Sequence, residues 1–396
     1  MKLYQKLVFI AMITIFWVVL TLYTTYGIQT LFPHQALLAT GYQWFCMALL
    51  VATCAWVLFS PKHMREMSKW QMYLISAMMI VVVWQLIYSI FLVIGDSLYS
   101  FWNIDGKVLN HIGLSLGEAF IIMSIYGSIW WKYRYKIVNK TIHFDDLPSV
   151  FDGVKIVQIS DVHAGSFDNA KAVQAWIRML KEQAADMFVF TGDLVNNTAG
   201  EFERWKHIFD GITAPLGQYS ILGNHDYGDY IAWDSHDEKQ QNLEALKQHH
   251  ADVGRRLLLN EHIVLERGEH KLIVAGVENR GDGFSRHGDI DKALHGVDEE
   301  SFVVLLSHDP THWEKIVKDH DKHVHVTLSG HTHAMQMGFN FSWFKRSPIK
   351  YRYKKWAGLY TEKWKHLYIN RGFGFLGLSA RIGMRPEITV LELKKA

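Results

Sequence analysis

Metal-binding residue types recur at one kind of position in the second half of this 396-residue chain. Each follows an apolar, strand-like run that gives way to a turn containing Gly or Ser. One carboxylate or histidine at a strand end is usually a solvated loop residue, but loop composition does not explain five such junctions. The runs and the residues that follow them are VKIVQIS before Asp161 and His163, DMFVFTG before Asp193, YSILG before Asn224 and His225, SFVVLLS before His308, and HVHVTLSG before His331 and His333.

The chemistry of these side chains points to a pair of metal ions. All are oxygen or nitrogen donors, and mixed Asp, Asn and His ligands suit Mn, Fe or Zn. A carboxylate at the end of a central strand can bridge two ions about 3.5–4 Å apart, as in two-metal phosphoesterases. Such ions generate a hydroxide nucleophile at neutral pH and neutralise charge on phosphoryl oxygens. The pattern therefore favours a phosphoesterase that needs no Ser or Cys nucleophile.

The order and spacing of five motifs resemble the calcineurin-like metallophosphoesterase superfamily from about residue 137 to the C-terminus; the motifs are SDVHAG, TGDLVNN, LGNHDY, LLSHDP and SGHTHAMQ. The resemblance implies that Asp193 bridges the two ions, of which manganese is the expected identity and iron or zinc the alternatives. It also implies the other ligands, which are Asp161, His163 and His333 for the first ion, and Asn224, His308 and His331 for the second.

The same resemblance implies a general acid. His225 would protonate the leaving-group oxygen, and Asp226 would orient and charge-stabilise its imidazole. Asn224 is also expected to contact the substrate. Arg280 follows another strand-like run that could end near the site, where it would contact a phosphate; the alternative is an ordinary surface arginine.

Two positions depart from the family pattern. Ala-Met-Gln follows His333 where many relatives have a Gly-Gly run, and Asn196 and Asn197 stand where many relatives carry an acidic residue. The first departure alters the rim of the pocket. Neither removes a ligand, so the sequence predicts an active enzyme.

The N-terminal third has a different composition, with few charges before residue 131. It contains four apolar stretches of about 20 residues or more, the length that a bilayer crossing requires. A cleavable signal peptide fits poorly, because three further stretches follow the first. A buried soluble bundle remains an alternative. The predicted spans are roughly Leu7–Gly27, Tyr42–Phe59, Met72–Ile94 and Val108–Trp131.

Loop charges predict the topology of these spans. The loop after the first span has no Lys or Arg, and the loop after the third has only Lys107. Under the positive-inside rule both termini, and hence the catalytic domain, lie in the cytoplasm at the inner membrane. The basic residues on the cytoplasmic side would be Lys2, Lys6, Lys62, Arg65, Lys69, Lys132, Arg134 and Lys136.

The predicted fold is an N-terminal all-α transmembrane bundle (residues 1–131) followed by an α/β four-layer sandwich (residues 132–396). Strands alternate with helices and then pair with one another, which is typical of two sheets flanked by helices. Ligands at strand carboxyl ends fit the usual position of sites in α/β folds. Both cysteines, Cys46 and Cys54, lie in the second span, so no disulfide framework is expected.

Residues 339–360, the aromatic–basic segment, interleave Trp, Tyr and Phe with Lys and Arg directly after the last ligand motif. This mixture suits a membrane interface with anionic lipid. It also suits single-stranded nucleic acid, and an ordinary solvated loop is a third interpretation. The predicted spans favour lipid, and a net charge of +2 gives no reason to expect nucleic acid.

The sequence thus predicts a multi-pass membrane hydrolase that cleaves a phosphomonoester, phosphodiester or pyrophosphate bond on a lipid or lipid-linked molecule. One alternative is a phosphodiesterase for soluble substrates that the spans merely anchor. Another is a membrane sensor or transport module whose output is the phosphatase domain. A third is a non-catalytic scaffold that retains a metal, against which the intact ligand set and His225 argue.

Overall fold

A computed structural model describes residues 3–60, 66–341 and 343–396. Of the basic residues used to predict topology, Lys2, Lys62 and Arg65 lie outside these ranges. The chain divides into two compact units, one of residues 1–129 with 377–380 and one of residues 130–376 with 381–396. Each is described by itself.

The described residues of the first unit include four helices that are long and apolar enough to cross a membrane. Each extends beyond the corresponding predicted span at one or both ends. Large apolar side chains such as Trp44 and Ile122 are exposed on their outer surfaces, as a lipid-facing surface requires. Polar groups are turned inward: the Gln85 amide donates hydrogen bonds to Tyr42 Oη at 2.7 Å and Thr21 Oγ1 at 3.0 Å. The helices are α1 (Leu3–Leu31), α2 (Ala36–Phe59), α3 (Lys69–Trp102) and α4 (Lys107–Ile129).

In its described part, the second unit contains two six-stranded sheets and one short hairpin. The first sheet has the order β1-β14-β2-β3-β4-β5, and the second has the order β12-β13-β9-β8-β7-β6. The strands are β1 (Lys136–Phe144), β2 (Lys155–Ile159), β3 (Met187–Thr191), β4 (Gln218–Ile221), β5 (Arg256–Leu257), β6 (Glu261–Arg267), β7 (His270–Gly276), β8 (Phe302–Leu306), β9 (Val326–Ser329), β10 (Phe339–Asn340), β11 (Lys345–Arg346), β12 (Gly358–Glu362), β13 (Lys365–Ile369) and β14 (Glu387–Lys395).

Among the described residues, six α-helices accompany the sheets. The longest two begin at polar N-caps, where the Asn169 and Ser235 side chains accept hydrogen bonds from backbone N–H groups of the first turn. Apolar side chains recur at helical spacing along the first of them, which gives it one buried face. The helices are α5 (Ala170–Lys181), α6 (Gly200–Glu203), α7 (Lys206–Phe209), α8 (His236–Asp252), α9 (Ile290–Ala293) and α10 (Pro310–Lys315).

Alternation along the strands produces three apolar layers. In β2, Ile156 faces the layer between the two sheets, whereas Val157 faces the layer under α5. In β8, Val304 faces the inter-sheet layer and Val303 the layer under α9 and α10. The arrangement is therefore helices, sheet, sheet, helices, and the predicted four-layer sandwich is confirmed.

Candidate metal centre

The predicted ligands converge because they follow adjacent parallel strands. β2, β3 and β4 are neighbours in the first sheet, and β8 and β9 are neighbours in the second. Their carboxyl ends meet at one edge of the sandwich. Glycines let the strand ends approach: a Cβ at Gly223 would collide with the Asp193 carboxylate, and a Cβ at Gly330 with that of Asp161.

Two clusters of possible ligand atoms lie at this edge. In the first, His163 Nε2 is 3.0 Å from His333 Nε2, and His333 Nε2 is 3.4 Å from Asp161 Oδ1. In the second, His308 Nε2 lies 3.2 Å from Asp193 Oδ2 and 3.3 Å from His331 Nδ1. Within each cluster, one ligand atom per residue lies within 4.8 Å of the others. This spacing fits the shell of one ion per cluster.

Asp193 joins the two clusters. Its Oδ2 is 3.2 Å from His308 Nε2 in the second cluster and 3.6 Å from His163 Nε2 in the first. Asn224 completes the second, with Oδ1 2.7 Å from His331 Nδ1. One carboxylate thus faces both sets of donors, as a bridging ligand would.

Hydrogen bonds from outside the clusters orient the imidazoles. His308 Nδ1 bonds to the Thr191 carbonyl at 2.6 Å, which leaves Nε2 for the cluster. His331 Nε2 bonds to Tyr353 Oη at 2.7 Å, which leaves Nδ1 for the cluster. Such outer hydrogen bonds commonly fix the ring orientation of metal-binding histidines. Because Tyr353 belongs to the aromatic–basic segment, that segment contributes directly to the site.

The backbone of the site is strained. Left-handed conformations are uncommon for residues other than glycine, and they cluster where the surrounding structure holds a functional geometry. The positive φ angles include 55° at Asp161, 47° at His163, 61° at Asp193, 72° at His331 and 48° at His333.

The electrostatics of the site favour a cation. Burial raises the pKa of Asp161 to about 7, and the nearby Asp193 carboxylate adds to this shift. Burial lowers the pKa of His163 to about 3 and that of His331 to about 4. Both imidazoles are therefore neutral, as metal ligands must be. At His308 the nearby Asp193 and Asp161 carboxylates outweigh burial and raise the pKa to about 10. The crowded carboxylates thus favour positive charge at the site, and together with the imidazoles they form a donor set that divalent cations fit.

His225 lies beside the clusters, half-buried. Its Nδ1 bonds to the Asn196 carbonyl at 2.8 Å, and its backbone N–H donates to Asp193 Oδ1 at 2.9 Å. The Tyr230 ring packs on the imidazole at a centroid distance of 4.5 Å. Since a carbonyl oxygen only accepts, Nδ1 carries the proton in the neutral ring, and Nε2 is the atom available to a substrate.

The predicted role of Asp226 is wrong. Its carboxylate accepts hydrogen bonds from the backbone N–H groups of Asp193, Leu194, Val195 and Gly223, at 2.8–3.3 Å. It therefore ties the loop after β3 to the loop after β4, and the imidazole of His225 is oriented by Asn196 instead. Asp226 follows His225 in the sequence, but the two side chains point in different directions and make no hydrogen bond with each other among the described residues.

Arg280 lies outside both ligand clusters, half-buried, and its Nη1 donates to the Gly288 carbonyl at 2.9 Å. It lines a separate cavity with Gly281, Asp282, Arg286, Thr311, His312, Lys315 and Ile316. The expected contact with a phosphate at the metal centre stays a prediction.

Several supporting residues carry no signal in the motifs. Tyr230 Oη accepts a hydrogen bond from Asn224 Nδ2 at 2.7 Å, which leaves the Asn224 oxygen facing the second cluster. The buried Glu201 carboxylate accepts hydrogen bonds from the backbone N–H groups of Asn196 and Asn197. Many relatives carry an acidic residue at the position of Asn196 or Asn197. In this chain the carboxylate that supports the loop comes from Glu201. Arg381, fully buried, donates to the carbonyls of Arg371 and Gly372, beside His333.

Comparison with known proteins identifies relatives. Residues 154–335 match the family model described as calcineurin-like phosphoesterase. The uncharacterized metallophosphoesterase YkuE of Bacillus subtilis is 30% identical, over 66% of this chain and 86% of that protein. A transmembrane protein with metallophosphoesterase domain from Danio rerio is also 30% identical, over 69% of this chain and 61% of that protein.

A relative with a named activity is more distant. The UDP-2,3-diacylglucosamine pyrophosphatase LpxG of Chlamydia trachomatis is 28% identical, over 58% of this chain and 81% of that protein. The residues that match the family model include the strand-end motifs that carry the two clusters.

Proposed function

The chain belongs to the calcineurin-like metallophosphoesterase family, a family of metal-dependent hydrolases, and on that premise we propose that it hydrolyses a phosphoester or pyrophosphate bond with two divalent metal ions. The observation that carries the proposal is the position of the Asp193 carboxylate, which faces both ligand clusters at 3.2 and 3.6 Å. A site for a single ion would not need two donor sets that share one carboxylate.

The ligands proposed for the first ion are Asp161, His163 and His333, and those for the second are Asn224, His308 and His331, with Asp193 shared. Manganese suits this mixture of oxygen and nitrogen donors, and iron or zinc is the alternative. When bound, the ions supply a water-derived nucleophile at neutral pH and neutralise charge on phosphoryl oxygens.

His225 is the proposed general acid. Its Nδ1–H···O=C bond to Asn196 fixes the ring and leaves Nε2 directed away from that carbonyl. A protonated Nε2 can then donate to the oxygen that leaves phosphorus. Asn224, whose side chain is held by Tyr230, can contact the substrate from the same loop.

The proposed substrate is a lipid or a lipid-linked phosphate at the membrane. Four apolar helices precede the catalytic unit. In the aromatic–basic segment, Phe341, Trp343 and Tyr351 are exposed among basic residues, as in side chains that reside at the headgroup level of a bilayer. The Chlamydia relative is named for a pyrophosphate bond on an acylated sugar nucleotide, which agrees with this class of substrate.

We further propose that residues 1–131 form the transmembrane domain and residues 132–396 the catalytic domain, on the cytoplasmic face of the inner membrane. Among the described residues, Lys6, Lys69, Lys132 and Arg134 flank the helices on the proposed cytoplasmic side, whereas Lys107 is the lone basic residue on the other side. This asymmetry follows the positive-inside rule.

The test is hydrolysis of bis-p-nitrophenyl phosphate and p-nitrophenyl phosphate by the manganese-loaded protein in detergent, with Asp193→Asn as the inactive control. Diester cleavage that the mutation abolishes would support the proposal and direct the search to lipid diesters and pyrophosphates. Preference for the monoester would indicate a lipid phosphate phosphatase. No cleavage of either compound by protein with two bound metals would contradict an enzymatic function for these substrate classes.

A further inference from the structure

A small cationic cavity lies beside the metal centre. Its volume is about 100 Å³, and its lining includes Arg280, Arg286 and Lys315. Since one water molecule in the liquid occupies about 30 Å³, the cavity has room for a single phosphoryl group.

The walls of this cavity are shared with the proposed metal site. Gly281 packs so closely on Asp309 that a Cβ there would overlap the carboxylate. Asp309 Oδ2 in turn lies 3.4 Å from Nε2 of His331. In the same loop as Gly281, the Phe284 ring packs edge-on against the His331 imidazole at a centroid distance of 4.9 Å. The cavity therefore adjoins the second ligand cluster.

The charge of the cavity is positive. Lys315 Nζ pairs with the Asp282 carboxylate at 2.5 Å, so these two charges offset each other. Arg280 donates one hydrogen bond to the Gly288 carbonyl and has no carboxylate partner among the described residues. Arg286 is exposed and likewise has no ion-pair partner in the described part of the chain. Two guanidinium groups thus remain available to an anion.

A buried imidazole provides an independent indication of a ligand. His312 is 2% exposed and lines the cavity. Its Nδ1 is 2.8 Å from Ser307 Oγ, whereas its buried Nε2 has no hydrogen-bond partner among the described residues. Burial lowers the pKa of His312 to about 4, so the ring is neutral. When the Ser307 hydroxyl donates to Nδ1, Nε2 carries the ring proton and is a donor without an acceptor among the described residues. An unmade buried hydrogen bond is unfavourable.

We propose that this cavity, formed by Arg280, Arg286 and His312, binds a second phosphoryl group of the substrate, the one that is not attacked. The proposal rests on the proposed function, and it narrows the substrate class to molecules with two phosphorus atoms, such as pyrophosphate-linked compounds. Planar guanidinium groups form paired hydrogen bonds with phosphate oxygens, and Nε2–H of His312 would donate to a third oxygen.

The experiment measures binding rather than turnover. The manganese-loaded full-length protein in detergent is titrated calorimetrically with P1,P2-diphenyl methylenediphosphonate, which has two phosphorus atoms and no cleavable P–O–P bond. Diphenyl phosphate, with one phosphorus atom, is the matched ligand. We expect R280A/R286A to weaken binding of the first compound at least tenfold more than binding of the second. The control R204A/R256A removes two arginines elsewhere and should change neither affinity more than twofold.

The proposal would be overturned if R280A/R286A weakened the binding of both ligands equally or of neither, or if the wild-type protein bound the two ligands equally well. Inorganic phosphate serves as a third ligand. If the double mutation weakens the binding of phosphate as strongly as that of the diphosphonate, the cavity holds free phosphate rather than the second phosphoryl group of a substrate. The assignment is then wrong. Failure of the proposed function is distinguishable, because it appears as loss of bis-p-nitrophenyl phosphate hydrolysis in wild-type protein whatever the binding results are.

Discussion

At the scale of single residues, the site is specified by what holds each functional side chain. His308 is fixed by a carbonyl, His331 by Tyr353 and Asn224 by Tyr230. His225 is fixed by the Asn196 carbonyl. These partners set the direction in which each ring or amide presents its free atom. Precise placement of this kind is what two-metal chemistry and acid catalysis require.

His225→Ala tests the assignment of the acid. Removal of a positioned general acid should lower kcat for bis-p-nitrophenyl phosphate by about 100- to 10,000-fold, with metal content unchanged, because the ring of His225 is not among the proposed ligands. Steady-state kinetics with metal analysis by mass spectrometry provide the measurement. His295→Ala, at an exposed histidine, is the control. An equal loss of metal would show that His225 is a ligand instead.

Sequence predicts the convergence of the proposed ligands better than it predicts the partners that hold them. Asp161, Asp193 and the histidines fall at strand ends within motifs, so their convergence follows from parallel strand order. Asp226 could not be assigned in this way, because its side chain turns toward backbone N–H groups of the loop after β3. Tyr353 was also beyond prediction, since it reaches His331 through the fold of a long irregular segment.

At the scale of elements, the aromatic–basic segment connects the metal centre to an exposed hairpin. Tyr353 contacts His331, while Phe341 and Trp343 stack at 5.9 Å near the turn between β10 and β11. Because both rings are exposed, they do not contribute to the packing of the core. In a membrane enzyme such a pair can hold the entrance of the site at the lipid surface.

Trp343→Ser tests the function of this hairpin. We expect activity toward hexadecyl p-nitrophenyl phosphate in mixed micelles to fall several-fold more than activity toward soluble bis-p-nitrophenyl phosphate, because the lost ring contributes only where the substrate is in lipid. Trp364 is similarly exposed, at 86% against 82% for Trp343, and it lies in the turn between β12 and β13. Trp364→Ser is therefore the matched control, and equal losses in the two tryptophan variants would refute a lipid-facing hairpin.

The elements themselves follow closely from sequence patterns. Each apolar span became one helix. Apolar residues at helical spacing also indicate a helix over residues 170–183, and α5 occupies most of that region. The sequence pattern also indicates one short helical run over residues 201–210, but this segment forms two short helices, α6 and α7. Here the Glu201 side chain turns back and accepts hydrogen bonds from the preceding loop. The spacing of apolar residues in the sequence does not reveal this interaction.

At the scale of the whole molecule, the catalytic unit buries titratable groups in its core as well as in its site. His250 is fully buried, and neither ring nitrogen has a hydrogen-bond partner among the described residues. Burial and the nearby Arg255 hold the pKa of His250 well below its usual value. The ring is thus neutral in the folded protein.

This burial predicts a pH dependence of stability. An unfolded histidine gains its proton below a pH of about 6.5, whereas folded His250 does not until much lower pH. The unfolded state therefore binds more protons, and the free energy of unfolding falls as pH drops below about 6.5, by up to roughly 1.4 kcal/mol per pH unit for one such group. The free energy of unfolding, measured by urea titration at several pH values between 7.5 and 4.5, should depend less steeply on pH in His250→Leu than in wild-type protein. Identical slopes would contradict the neutral, buried state.

The central claim is that one carboxylate serves two ions, and metal content tests it most directly. Wild-type protein loaded with manganese and passed through a desalting column should retain two ions per chain. Asp193→Asn should lose occupancy of both ions, because the amide removes the negative charge that both clusters share. The control Asp237→Asn changes an exposed carboxylate and should retain two ions. Unchanged metal content in Asp193→Asn, or loss of only one ion, would contradict a bridging Asp193.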